Sequence, residues 1–203
     1  ILVSALILIL TALAVWQESE RNKERAALTT QNLSFLLAKD VGQLLNQTDM
    51  ALQSAAAYYH EALAHGGIDE DRLNAYLEQQ KSLVPKLLDL HVLNAEGMLR
   101  FSTGPLPHIN AADRAYFARA RDDPAAGLIF EGPLLTRASQ RWALLLARRI
   151  SRPDGGFAGV VLGTLPVEAF EEMLSQLDLG PGGTAALRTA DLLQVARYPR
   201  LEG

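Results

Sequence analysis

Four histidines and no cysteine are what this sequence offers for metal or nucleophilic chemistry, and their spacing assembles neither. His60-Glu61 followed by His65 approaches the His-Glu-x-x-His pattern of zinc proteases, but the second His comes one residue late. On a helix it stands about 140° around from the first instead of ~40°, so the two cannot grip one ion. His91 and His108 have no partners at ligand spacing and read as a strand and a loop histidine. Gly155-Gly-Phe-Ala-Gly159 lacks dinucleotide-binding spacing and joins two strand candidates, which makes it a hairpin turn. Asn32-Leu-Ser34 and Asn46-Gln-Thr48 match the glycosylation sequon, yet both fall within a helical stretch where so short a pattern recurs by chance. The sequence therefore predicts no catalytic residue, no metal and no cofactor.

Composition narrows the remaining classes. The chain has 203 residues, 49% hydrophobic and 21% charged, with a net charge of -4. That is enough for one or two cores, and no basic excess points to nucleic acid. The lack of cysteine rules out disulfide staples and thiolate metal sites without naming a compartment.

The first sixteen residues, Ile1 to Trp16, are apolar and uncharged, and a dense run of charge follows from Gln17 to Arg25. At ~1.5 Å per residue the run measures roughly 24 Å, slightly short of a ~30 Å hydrocarbon core, and it does not begin with Met. We read it as a clipped membrane helix with Trp16 as interfacial anchor; the competing reading is a signal peptide cleaved near Ala12-Leu-Ala14. Either way the rest of the chain lies outside the cytoplasm.

Residues 17–64 read as one long helix, in which Leu33, Leu37, Val41, Leu44, Thr48, Leu52, Ala55, Tyr59 and Leu63 repeat every eleven residues. That period keeps the stripe on one side of a nearly straight helix. The distal half is expected to pack on its own domain, while the membrane-proximal half needs water or a partner helix, and hence predicts a homodimer stalk. His65-Gly66-Gly67 ends the helix, and a second helix runs from Asp69 to about Leu83, with residues 65–83 forming this segment.

The period then changes from 3.6 to 2. Leu88, Leu90 and Val92 alternate with Asp89, His91 and Leu93, Asn94-Ala-Glu-Gly97 turns the chain, and Met98 to Thr103 returns. A short helix over 113–121 and three strand candidates, 128–135, 141–151 and 157–165, complete an antiparallel sheet with helices packed on it. Val167 to Leu177 is helical again, and strands at 184–189 and 192–198 open what should be a second sheet, cut off at the end of the chain. The fold class is α+β: a transmembrane helix and stalk, a five-stranded sheet flanked by helices, then the start of another module.

Taken in order, Leu90-His-Val-Leu-Asn-Ala-Glu-Gly97, Asp113-Arg-Ala-Tyr-Phe117, Gly132-Pro-Leu-Leu-Thr-Arg137, Arg141-Trp142 and Gly156-Phe-Ala-Gly-Val-Val161 resemble the double Cache (PDC) extracytoplasmic sensor domains. The closest match is to those preceding GGDEF diguanylate cyclase and histidine kinase modules in bacteria. The resemblance runs from about residue 17 to the end. It implies a membrane-distal PAS-like module over residues 84–166 and a connecting helix with the start of a membrane-proximal module over 167–203. It also implies residence in the inner membrane, with everything after about residue 17 periplasmic or extracellular.

In that family a small ligand binds between the distal sheet and the short helix. Arg114, Tyr116 and Phe117 fall where amino-acid-binding members have Arg-x-Trp-Tyr, and Ile109 stands at the motif's upstream Tyr. No counterpart appears to the downstream acid that pairs with an amine, which argues against an ordinary α-amino acid. A guanidinium is a rigid fork of donors suited to a carboxylate, and adjoining aromatics strengthen the contact by excluding water. The competing reading has Asp113 and Arg114 merely capping and solvating a short helix, with Tyr116 and Phe117 in the core. Trp142, alternating with Leu144 and Leu146, is expected to pack beneath the pocket, and Arg137 is a turn residue of lesser weight. The function expected is a small-molecule sensor whose ligand biases the stalk and a cytoplasmic output, a diguanylate cyclase before a histidine kinase. The alternative is a spacer or dimerisation domain whose pocket is filled by its own side chains.

Overall fold

A computed structural model of the chain describes the backbone of residues 2–200 and the side chains of residues 28–200. The side chains of the expected membrane helix, residues 1–16, lie outside the described residues; among those described, no helix is long and apolar enough to cross a membrane. Two compact units divide the chain, Ile1–Asp40 and Val41–Gly203. The described backbone of the first is helical throughout and belongs to helix α1, Leu2–Ala64.

Helix α1 stops where the sequence predicts. Gly66 takes a φ of 103°, open to a residue without Cβ, and the Gly67 N–H donates to the Ala62 carbonyl at 3.1 Å, closing the last turn. Helix α2, Glu70–Ser82, is capped by Asp69, whose carboxylate accepts the Arg72 N–H at 3.1 Å. Tyr58 and Tyr76 stack at 4.3 Å and join the two helices.

The strands are β1 (Asp89–Asn94), β2 (Leu99–Ser102), β3 (Ile129–Leu135), β4 (Trp142–Ser151) and β5 (Phe157–Pro166), with helix α3 (Ala115–Asp122) between β2 and β3. They pair antiparallel in the order β2-β1-β5-β4-β3. At the β1–β2 turn the Asn94 side chain accepts the N–H groups of Glu96 and Met98. Gly97 has a φ of 80° there, and a Cβ on it would stand 2.6 Å from the Ala112 backbone nitrogen. Register shifts between Val92 and Leu93, so that Phe101 pairs with Val92 and Leu99 with Leu93. The extra residue sends Leu99 to one face of the sheet and Phe101 to the other.

One face carries the helices. Tyr59 meets Phe101 edge-on at 6.4 Å, and the stripe residues Leu44, Thr48, Leu52, Ala55 and Tyr59 are buried. The approach is close enough that a Cβ on Gly163 of β5 would meet Thr48 Cγ2 at 3.1 Å, Leu87 Cδ1 at 3.3 Å and Leu52 Cδ2 at 3.5 Å. Arg148 of β4 forks onto both carboxylate oxygens of Asp49, and His60 Nδ1 donates to the Ser151 carbonyl at 2.7 Å. The stripe thus packs on its own sheet from Leu44 to Tyr59. Nearer the N-terminus Leu28, Phe35 and Leu36 are exposed.

The opposite face carries α3 and the loops around it, over a core of Leu93, Leu99, Phe117, Leu145, Ala147, Val160 and Leu162 among others. Beyond β5, helix α4 (Val167–Ser175) packs against β7 (Gln194–Tyr198), which pairs only with β6 (Ala185–Arg188) in a separate two-stranded sheet. Phe170 and Leu174 of α4 and Val195 and Ala196 of β7 are buried.

Candidate functional site

The face of the sheet away from α1 holds a small cavity, and strand alternation determines which residues reach it. His91 and Leu93 of β1, Leu145 of β4, and Leu162 and Thr164 of β5 form its floor. Ile109, Ala111, Arg114 and Tyr116 approach from the loop and the start of α3, and Leu134, Thr136, Arg137 and Ala138 from β3 and the turn after it. Its volume is about 40 Å³ in the measure by which one water takes roughly 10–15 Å³, so it suits a compact molecule.

Helix α3 is short and is held at both ends by the sheet. It begins at Ala115, later than the sequence suggests, because Arg114 is extended and offers no side-chain cap. The missing acceptor comes from β3: Glu131 Oε2 takes the Tyr116 N–H at 2.6 Å. At the other end Arg149 of β4 donates to the carbonyls of Ala120 and Arg121 at 2.8 and 2.9 Å, with its guanidinium 5.0 Å above the Phe157 ring. An anion at the N-terminus and a cation at the C-terminus both complement the helix dipole.

Two guanidinium groups line the cavity and differ in state. Arg137 donates to both carboxylate oxygens of Asp113 and to the Asn110 carbonyl, each at 2.7 Å. That pair holds the Asp113 carboxyl at a pKa of about 2, chiefly through the hydrogen bonds from Arg137. Asp113 therefore serves Arg137, not the helix, and Arg137 is more than a solvated turn residue. The Arg114 guanidinium has no hydrogen-bond or ion-pair partner among the described residues. None of the cavity-lining residues is Asp or Glu, and of the two arginines in the wall only Arg137 is ion-paired.

Tyr116 is buried against the cavity, and burial pushes its phenol up. Phe117, one residue on, points into the core, 1% exposed and edge-on to Phe157 at 5.4 Å, and does not line the cavity. Trp142 departs furthest from expectation. It is 57% exposed and absent from the cavity; Leu145 and Ala147, of the other parity, face α3. Periodicity finds both faces of β4 without saying which one the ligand side is, and at the open end of the β3–β4 pair nothing covers Trp142.

Residues that the sequence does not assign to the pocket complete the site. His91 is 4% exposed and its Nδ1 is buried without a hydrogen-bond partner. Such a nitrogen costs about 1–3 kcal/mol of lost solvation, and burial lowers the imidazole's pKa, keeping it neutral. The β1 alternation, which puts His91 on the same face as Leu93, was the available signal. Glu131 had none, since its partner lies fifteen residues earlier and on a different element.

No protein-family model matches the sequence, and no curated protein does either. Among solved structures, the extracellular domain of a protein described as a histidine kinase, rpHK1S-Z16, is 29% identical with a TM-score of 0.75, over 83% of this chain and 68% of that one. The ligand-binding domain of the Campylobacter jejuni chemoreceptor Tlp3, in complex with 4-methylisoleucine, is 15% identical with a TM-score of 0.62, covering 87% and 69% of the two chains. That of the Pseudomonas fluorescens chemoreceptor CtaA, in complex with L-alanine, is 17% identical with a TM-score of 0.61, covering 81% and 68%. With this architecture, and with the motifs that resemble the double Cache domains, the chain is a sensor domain of a signalling receptor.

Proposed function

We propose that this domain senses a small anionic molecule, with Arg114 as the anchor for a carboxylate and Tyr116 as a wall that shields it. The observation that carries the reading is the contrast between the two arginines: Arg137 is neutralised by Asp113, whereas Arg114, at the same cavity, has no ion-pair partner among the described residues. A charge so placed is favoured by an anionic partner and by nothing else in the wall. The open cavity also favours sensing over the spacer reading, which requires the domain's own side chains to fill it. Neighbours of this fold take amino acids, which supports a ligand of that size. The missing lining carboxylate argues against the amino group.

Around this site we place residues 84–166 as the distal module and 167–203 as the opening of a second one, since β6 and β7 pair only with each other. Residues 1–16 would anchor the protein in the inner membrane with the domain outside it. The proximal part of α1 would pair with a second copy through its exposed apolar residues. The output would be a GGDEF or a histidine kinase module, and the 29% identical neighbour favours the kinase. Thermal-shift screening against organic acids, amino acids and neutral metabolites tests the sensing claim. Stabilisation by acids is expected; stabilisation only by neutral or cationic compounds contradicts it.

A further inference from the structure

The cavity has a second polar feature, apart from its two arginines. His91 and Thr164 form a polar corner on a floor otherwise made of Leu93, Leu145 and Leu162. The imidazole is enclosed, with Nδ1 unpaired, and no described residue hydrogen-bonds to the ring. Buried polar groups of folded proteins nearly always find partners, so an imidazole that lines a cavity and has no hydrogen bond within the domain marks a contact the protein leaves for something else. Asp89, the nearest acid on β1, does not supply it: Asp89 lies outside the lining, tucked beneath Gly104 and 4.0 Å from Lys81 Nζ.

We propose that His91 is a specificity-determining residue, and that the ligand is a compact monocarboxylic acid bearing an uncharged hydrogen-bonding group, a hydroxyl or carbonyl, that meets the His91 imidazole while the carboxylate meets Arg114. This rests on the anionic-ligand reading and goes beyond it. An unsubstituted acid leaves the imidazole unpaired. An α-amino acid brings an ammonium for which the lining holds no carboxylate. A site built to hydrogen-bond a ligand group rejects the analogue lacking that group more strongly than an apolar site rejects one that adds it.

The test is calorimetry with propanoate, butanoate, their 2- and 3-hydroxy derivatives and alanine, on the parent protein and on His91→Leu. At least one hydroxy acid should bind the parent ten-fold or more tighter than its unsubstituted acid and tighter than alanine. His91→Leu should remove that advantage while binding the unsubstituted acid as the parent does. Leucine removes an unpaired nitrogen and keeps apolar volume, so folding should not suffer. Should the variant nevertheless misfold, the imidazole nitrogen resonances of His91 in the parent protein give the same answer: they should shift with the hydroxy acid and stay put with propanoate. Equal binding of acids with and without the hydroxyl, or alanine binding as tightly, overturns the inference and leaves the Arg114 anchor standing. Binding of no acid in the panel overturns both.

Discussion

The guanidinium of Arg137 holds both carboxylate oxygens of Asp113, at 2.7 Å each, and so ties the turn after β3 to the residue preceding Arg114. The two are 24 positions apart in sequence. The pair fixes the backbone from which Arg114 departs and engages the acid next to it in sequence. Because the Asp113 carboxyl is depressed, its contribution is present above the ordinary value near 3.8 and is lost as pH falls through about 2. Carboxyl NMR should show Asp113 titrating near 2 in the parent and moving back toward 3.8 in Arg137→Ala. A midpoint unchanged by the substitution would mean the pair does not exist in solution.

Glu131 should matter to stability although it is distant in sequence from the helix it caps. Glu131→Ala deprives the Tyr116 N–H of its acceptor, a loss of about 1–2 kcal/mol, which for a chain of this size lowers the melting temperature by roughly 2–8 °C. Glu131→Gln keeps a neutral acceptor and should lose less. Identical melting curves for the parent and the alanine variant would show that α3 is held by other means.

The spacing between sheet and stalk helix is a further point of exposure. Gly163→Ala puts a methyl 3.1 Å from Thr48 Cγ2 and should destabilise the domain by about 1–3 kcal/mol in urea denaturation. Thr48→Ser removes that Cγ2 and should recover part of the loss. A neutral Gly163→Ala would mean that α1 sits further from β5.

These relationships mark where the sequence is readable and where it is not. The eleven-residue stripe from Leu44 to Tyr59 is legible because burial follows from periodicity within one element, and the Asn94–Gly97 turn because its residue types carry their own backbone geometry. The same reasoning places His91 and Leu93 on one face of β1. It cannot tell which face of β4 meets the ligand, and so it put Trp142 beneath the cavity, where Leu145 stands instead. Nor could it find Glu131 under α3 or Asp113 on Arg137, since such pairs depend on how separate elements dock and leave no local pattern. Arg114 was found by resemblance; its lack of a partner is visible only in three dimensions.

For the stalk, Leu37→Glu sets a carboxylate into the apolar stripe, at a cost of several kcal/mol if a partner helix covers it. Sedimentation analysis of the protein freed of residues 1–16 should find a dimer for the parent and a monomer for the variant. A parent monomeric at every concentration, with no helix contact trapped by engineered disulfides in membranes, would rule out the paired stalk.

The central claim is that Arg114 receives an anionic ligand, and titration calorimetry of a stabilising acid into the parent and into Arg114→Ala tests it most directly. A charge-assisted hydrogen bond is worth ~1.5–3 kcal/mol, so the account predicts affinity lower by roughly 10- to 150-fold in the variant, with the melting temperature of the unliganded protein little changed. Binding of the acid to Arg114→Ala as tightly as to the parent would contradict it.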